Sequence, residues 1–142
     1  AVVGVPLTVY GTGGQTRGFL DIRDTIQCVE LAARNPAKPG EFRVFNQFTE
    51  QFSVMDLAKK TVEAGRRAGL NVTIDHLPNP RIEMESHYYN AKHSKLADLG
   101  LKPHLLTNEM LDHMLSTVRT HAGRVNQDSF RPTIPWAEER PS

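Results

Sequence analysis

The chain has 142 residues and is 39% hydrophobic, enough for one folded domain with a real core. Lysine and arginine total 17 against 16 aspartate and glutamate, and no stretch gathers five or six like charges, so a general nucleic-acid footprint is excluded and any anion binding must be local. The single cysteine, Cys28, cannot form an internal disulfide, and the longest apolar run is far shorter than the roughly 18 residues of a membrane span, which leads to the expectation of a soluble, intracellular chain with a buried, reduced thiol.

The opening AVVGVP has no initiating Met, cap or charged leader and reads as a cut end. Residues 6–10 (PLTVY) alternate and are rich in β-branched side chains, which predicts a strand, and residues 19–22 form a second short extended piece. Asp24 with Gln27 makes a capping box, and Ile22, Ile26, Val29 and Ala33 recur at helical spacing as an inward stripe. That helix should end near Asn35, because Pro36 and the pair Pro39-Gly40 cannot continue it. FRVF (42–45) predicts a strand, and NQFTEQFS leads to a helix signalled by Ser53 and Asp56, with Val54, Leu57, Ala58, Thr61 and Val62 inward and Gly69 as C-cap. NVTIDHL (71–77) is strand-like, with Val72, Ile74 and His76 as candidates for one face.

A PNPR turn and an irregular acidic, aromatic stretch come next. Ser94 begins a short helix stopped at Gly100, and residues 107–122 form a longer one with Met110, Leu111, Met114, Leu115 and Val118 inward. Residues 1–123 thus carry the structure, and 124–142, with Pro132, Pro135 and Pro141, form an irregular tail. Strands alternating with helices place the chain in the α/β class with α+β character. The strands are too few and short for a nucleotide-binding core, so the chain reads as a partner to one.

The loop in YGTGGQTRGFLDIRD (10–24) fails both motifs it evokes. A dinucleotide fingerprint needs a third glycine where Thr16 stands, and a Walker loop needs a Gly-Lys pair that is absent. What remains is a loop presenting Gln15 and Arg17. The planar guanidinium fork suits a diphosphate, and the alternative is a surface arginine on a tight hairpin. In PNPRIEMESHYY, Arg81 follows two prolines, and Glu83 and Glu85 supply carboxylates that could accept from a ribose diol; the alternative is a solvated acidic turn with one ion pair. Tyr88 and Lys92 have the YxxxK spacing of a dehydrogenase, but no cofactor domain precedes them and Asn90 is a mediocre helix former. The six histidines show no HExxH, His87 and His93 lack a helical ligand spacing, and His113 falls on the polar side of its helix, so no metal is expected.

PLTVYGTGGQTRGFLDIRDTIQCVELA is similar to the segment of extended short-chain dehydrogenase/reductases, the nucleotide-sugar epimerases and dehydratases, that leaves the cofactor domain and builds the sugar-nucleotide pocket. Many relatives carry Arg-Asp where this chain has Arg17-Gly18, and Ile22-Arg23-Asp24 takes the place of a later hydrophobic-x-Asp-Asp pair. FRVFNQFTEQFSV, PNPR and HYYNAKHSKL resemble the sulfite-using members of that family. The resemblance implies that NAD oxidises C4 of UDP-glucose, water leaves across C5 and C6, sulfite adds at C6, and the hydride returns to give UDP-sulfoquinovose for sulfolipid synthesis. It implies that the catalytic Tyr and Lys and the NAD glycines belong to an N-terminal domain, so this chain would be an inactive C-terminal fragment with no catalytic or cofactor-binding residue of its own.

On the same resemblance, Arg81 and Arg17 would hold the UDP diphosphate, and Tyr10 and Gln15 would line the uridine end. Glu85, with Glu83 as rival, would accept from the ribose, and Tyr88, Tyr89 and Asn90 would shape the pocket floor. A homodimer, a sulfite-donating partner enzyme, and a plastid stroma or bacterial cytoplasm as location follow by family analogy. Two other readings stay open: the substrate-binding part of another NAD-dependent epimerase or dehydratase, and a stand-alone UDP-sugar-binding module.

Overall fold

The computed structural model describes residues 1–79 and 94–130. In chain order the elements are strands β1 (Leu7–Tyr10) and β2 (Thr16–Phe19), helix α1 (Ile22–Arg34), strand β3 (Glu50–Ser53), helix α2 (Val54–Arg67), strand β4 (Ile74–Leu77), and helices α3 (Ser94–Asp98) and α4 (Asn108–Thr120), followed by short 3-10 turns at Ala122–Arg124 and Gln127–Phe130. They group into two units: residues 1–15, 53–79 and 107–130 in one, residues 16–52 and 94–106 in the other.

In the first unit β1 pairs in parallel with β4, Leu7 opposite Ile74 through Tyr10 opposite Leu77. Parallel neighbours need a crossover, and α2 lies within it. Ser53 caps α2 through a complete box: its Oγ accepts from the Asp56 amide at 3.0 Å, and Asp56 accepts from the Ser53 amide at 3.0 Å. Small residues let this helix approach its neighbours closely, since Ala58, Ala64 and Gly65 are buried and a Cβ on Gly65 would collide with Val72 Cγ2. Against α2 packs α4, with Leu111 buried and the Arg67 guanidinium donating to Asp112 at 2.8 Å.

In the second unit β2 hydrogen-bonds with β3, the Thr49 amide donates to the Phe19 carbonyl at 2.9 Å, and the rings of Phe19 and Phe52 lie 5.9 Å apart. Cys28, Leu96 and Leu101 form the core, with Leu20, Leu31 and Phe45 packed against it.

The mixed class expected from the sequence is the class observed, as is the capping of α2 by Ser53; Thr107, expected as the first residue of α4, is its N-cap. Four local expectations fail for physical reasons. FRVF keeps its two-residue alternation, with Phe45 packed on the core and Phe42 90% exposed, but no strand lies beside it among the described residues, so it forms no ladder. The polar run Glu50–Ser53, expected as a connection, is a strand because β2 supplies its hydrogen-bond partner. The extended piece expected at 19–22 ends as α1 begins, and the strand lies earlier, so Arg17 stands in β2 rather than in a loop.

The fourth failure concerns α1. Its N-cap is Asp21, whose carboxylate accepts from the Arg23 amide at 2.8 Å, so Asp24 is not the cap. The inward face is Asp24, Cys28 and Leu31 at i, i+4 and i+7, while Ile22, Ile26 and Val29 are 74%, 68% and 60% exposed. Along α4 the outcome is divided: Leu111 is buried and Met110 and Leu115 half-buried, but Met114 and Val118 are exposed rather than inward. The tail expected as irregular begins with the two 3-10 turns; Pro132, Pro135 and Pro141 lie outside the described residues.

Two stability predictions follow from the caps. Ser53→Ala should lower the unfolding free energy by about 1 kcal/mol, read as a shift of the urea midpoint. The Arg23 side chain, donating to Asp21 from Nε and Nη2 at 2.9 Å each, with the Arg23 amide adding a third bond, holds the Asp21 carboxyl at about 2. The folded value lies below the unfolded one, so the folded chain binds fewer protons; this contribution is present above about pH 4 and lost as pH falls towards 2. Asp21→Asn keeps a capping acceptor without the charge, and its stability deficit against the parent chain should shrink over that pH interval in parallel urea titrations.

Candidate functional site

The loop GTGGQ (11–15) leaves β1 at Tyr10 and is shaped by α2. Gly11 and Gly13 take positive φ values of 61° and 74°, and a Cβ on Gly13 would also lie 2.7 Å from Val9 Cγ1. The carbonyls of Gly13 and Gln15 accept from the amides of Met55 and Val54 at 3.0 and 3.2 Å. With Ser53 bonded to the Asp56 amide, the first three amides of α2 all have partners. A helix N-terminus is a ready anion site, but here the loop offers it carbonyls. The first three amides of α2 are therefore already taken and are not open to a phosphate. The loop is pinned from the other side as well: the Gly11 amide donates to the Leu77 carbonyl at 2.8 Å, and His76 Nδ1 donates to the Gly11 carbonyl at 2.8 Å.

Tyr10 and Gln15 bracket this loop. Tyr10 is half-buried and Gln15 is 7% exposed, yet Tyr10 Oη and Gln15 Oε1 are buried with no hydrogen-bond partner among the described residues. Leaving such an atom unpaired costs about 1–3 kcal/mol, so each calls for an explanation, and a bound polar ligand is one. Arg17 belongs to the other unit, where it is half-buried in β2 and its Nη1 donates to the Thr16 carbonyl at 2.9 Å. Arg81 and Glu85 lie outside the described residues, as do Glu83, His87, Tyr88, Tyr89, Asn90, Lys92 and His93.

One polar centre had no legible signal. Asp24 is fully buried and accepts from the His104 amide at 2.7 Å, from His104 Nδ1 at 2.6 Å and from Gln27 Nε2 at 2.8 Å. Gln27 also donates to the Lys102 carbonyl at 3.2 Å. Glu50, through Oε2, accepts the Leu106 amide at 2.7 Å, so two carboxylates hold the segment 102–106 in the second unit. A carboxylate inside an apolar stripe looks like a break in the pattern; only its partner His104, 80 residues away, reveals it as part of the inward face. Burial pushes the Cys28 thiol up, which makes it a core side chain rather than a nucleophile. Among the described residues no group of His, Cys, Asp and Glu could hold a metal ion, and no helix is long and apolar enough to cross a membrane.

No family model matches the chain. It is 62% identical over 136 residues to the chloroplastic UDP-sulfoquinovose synthase of Spinacia oleracea, covering 96% of this chain and 28% of that protein. The chain belongs to the UDP-sulfoquinovose synthase family. A second family member, the UDP-sulfoquinovose synthase of Sulfolobus acidocaldarius, is 52% identical over 103 residues, 72% of this chain and 26% of its own length. The chain thus spans between a quarter and a third of the UDP-sulfoquinovose synthases it matches.

Among solved structures, the UDP-glucuronic acid 4-epimerase of Bacillus cereus, crystallised with UDP-glucuronic acid and NAD, superposes with a TM-score of 0.60 at 25% identity, over 82% of this chain and 36% of the epimerase. A mutant of that epimerase, in complex with UDP-4-deoxy-4-fluoro-glucuronic acid and NAD, superposes equally well. The likeness agrees with the fold class expected from the sequence, a portion of an extended short-chain dehydrogenase.

Asp24 gives this family member its clearest stability test. Asp24→Ala strips three donors of their acceptor and should destabilise the chain by about 2–3 kcal/mol, measured by chemical denaturation.

Proposed function

We propose that this chain is the UDP-sugar-binding portion of a UDP-sulfoquinovose synthase that joins UDP-glucose and sulfite, and that the chain alone is inactive. The observation that carries the reading is the pair of buried, unpartnered oxygens, Tyr10 Oη and Gln15 Oε1, at the two ends of the glycine loop. A uridine edge offers N–H and hydroxyl donors suited to both oxygens. Arg17 and Arg81 are the diphosphate ligands in this reading, with Glu85 accepting from the ribose and Glu83 as its rival. Support comes from the synthases at 62% and 52% identity and from the epimerase crystallised with UDP-glucuronic acid.

The described residues do not fit NAD. A dinucleotide site turns glycine amides at the start of a helix toward the pyrophosphate, whereas this loop runs from strand to strand and directs carbonyls at α2. NAD, the catalytic Tyr and Lys, and any homodimer or sulfite-donor contact are therefore assigned to polypeptide that the relatives carry outside the matched span. The likeness to an epimerase keeps one sister reading, another NAD-dependent nucleotide-sugar epimerase or dehydratase. Product analysis on the family-length enzyme separates the two, since a C4 epimer formed without sulfite belongs to the sister.

Calorimetry of the chain with UDP tests the binding role. Arg17→Gln and Arg81→Gln should each weaken UDP about tenfold or more, the loss of a charge-assisted contact. Tyr10→Phe should weaken UDP while leaving the free chain as stable or up to about 1 kcal/mol more stable, because it removes an unpaired buried hydroxyl. A chain that turns over UDP-glucose with sulfite unaided, or ignores UDP altogether, would overturn the reading.

A further inference from the structure

Gly18 stands within β2, next to Arg17. Its backbone is not in the left-handed region, so conformational freedom does not explain the glycine. Space does. A Cβ built on Gly18 would lie 2.5 Å from Phe48 Cγ and 2.9 Å from both Phe48 Cβ and Cδ2. Phe48 is 7% exposed, so the ring has little room to retreat, and the next amide, Thr49 N, is tied to the Phe19 carbonyl at 2.9 Å. The phrase NQFTEQF therefore delivers an aromatic ring onto the one residue of β2 that has no side chain.

We infer that Gly18 and Phe48 are a size-matched positioning pair that sets the direction of Arg17, and through it the grip on the diphosphate of a UDP-sugar. Successive side chains of a strand point to opposite faces, so the ring seated on Gly18 backs the strand while Arg17 projects from the other side. Restoring ordinary contact from 2.5 Å to near 3.5 Å displaces ring or strand by roughly 1 Å. Two parallel N–H···O bonds to phosphate tolerate only a few tenths of an ångström, so such a shift removes the bidentate geometry. An aspartate at position 18 would meet the same ring and bring a second, negative charge beside the phosphate ligand.

The inference rests on Arg17 as a diphosphate ligand, and the experiment separates the two claims. Affinities of the chain for UDP and for uridine, which has no phosphate, are measured for Gly18→Ala, Phe48→Leu, Gly18→Ala with Phe48→Ala, and Arg17→Gln. The pairing gives a loss of about tenfold for UDP and less than twofold for uridine in Gly18→Ala, with the double variant recovering to within about threefold of the parent. Phe48→Leu, which keeps the site apolar, should lose UDP affinity severalfold with uridine unchanged, and it carries the test if Gly18→Ala does not fold. Equal losses for UDP and uridine, or no recovery in the double variant, overturn the pairing while Arg17 keeps its role. An Arg17→Gln chain that binds UDP normally overturns the diphosphate reading itself, and the pairing with it.

Discussion

The first turn of a helix presents amides that the helix cannot satisfy, and in α2 these amides organise the unit around them. Ser53 takes one and the carbonyls of Gly13 and Gln15 take two more, which anchors the glycine loop by its backbone. Two positive-φ glycines allow the loop to turn its carbonyls inward. Tyr10 and Gln15 thereby become fixed side chains on a braced loop, and the parallel register of β1 with β4 sets where that loop starts. A loop whose composition evokes a phosphate cradle thus gives two of its carbonyls to the start of a helix.

The second unit is held by an equivalent device with a different chemistry. A buried carboxylate, Asp24, gathers the amide and ring of His104 and the amide group of Gln27, while Glu50 holds the Leu106 amide. Both devices use polar groups at segment ends to fix irregular backbone, which apolar packing alone positions poorly because it lacks direction. They also explain how a chain with short strands maintains defined loops.

Legibility from the sequence followed the range of the forces. Caps are local, so Ser53 with Asp56 was readable, and so were the ends of the helices at Asn35 and Gly100. The burial direction of a helix face depends on what surrounds it. Ile22, Ile26 and Val29 have the right spacing for an inward stripe and face outward, whereas the stripe that is covered contains an aspartate. Strand formation is likewise a property of pairs: FRVF has the composition without a neighbouring strand among the described residues, and EQFS has the neighbour without the composition.

Residue chemistry and short-range spacing in the sequence determined the mixed class, the failure of the GxGxxG and Walker patterns, and the choice of Gln15 and Arg17 as residues of interest, while resemblance of longer phrases pointed to the family and, with it, to Tyr10. Tertiary structure decided that two of the loop's carbonyls face α2, that Tyr10 Oη and Gln15 Oε1 are buried with no partner among the described residues, that Asp24 is the buried acceptor of the second unit, and that Phe48 occupies the space beside Gly18. Each of these depends on atoms brought together from distant parts of the chain, and such proximity is created by packing and leaves no trace in local sequence.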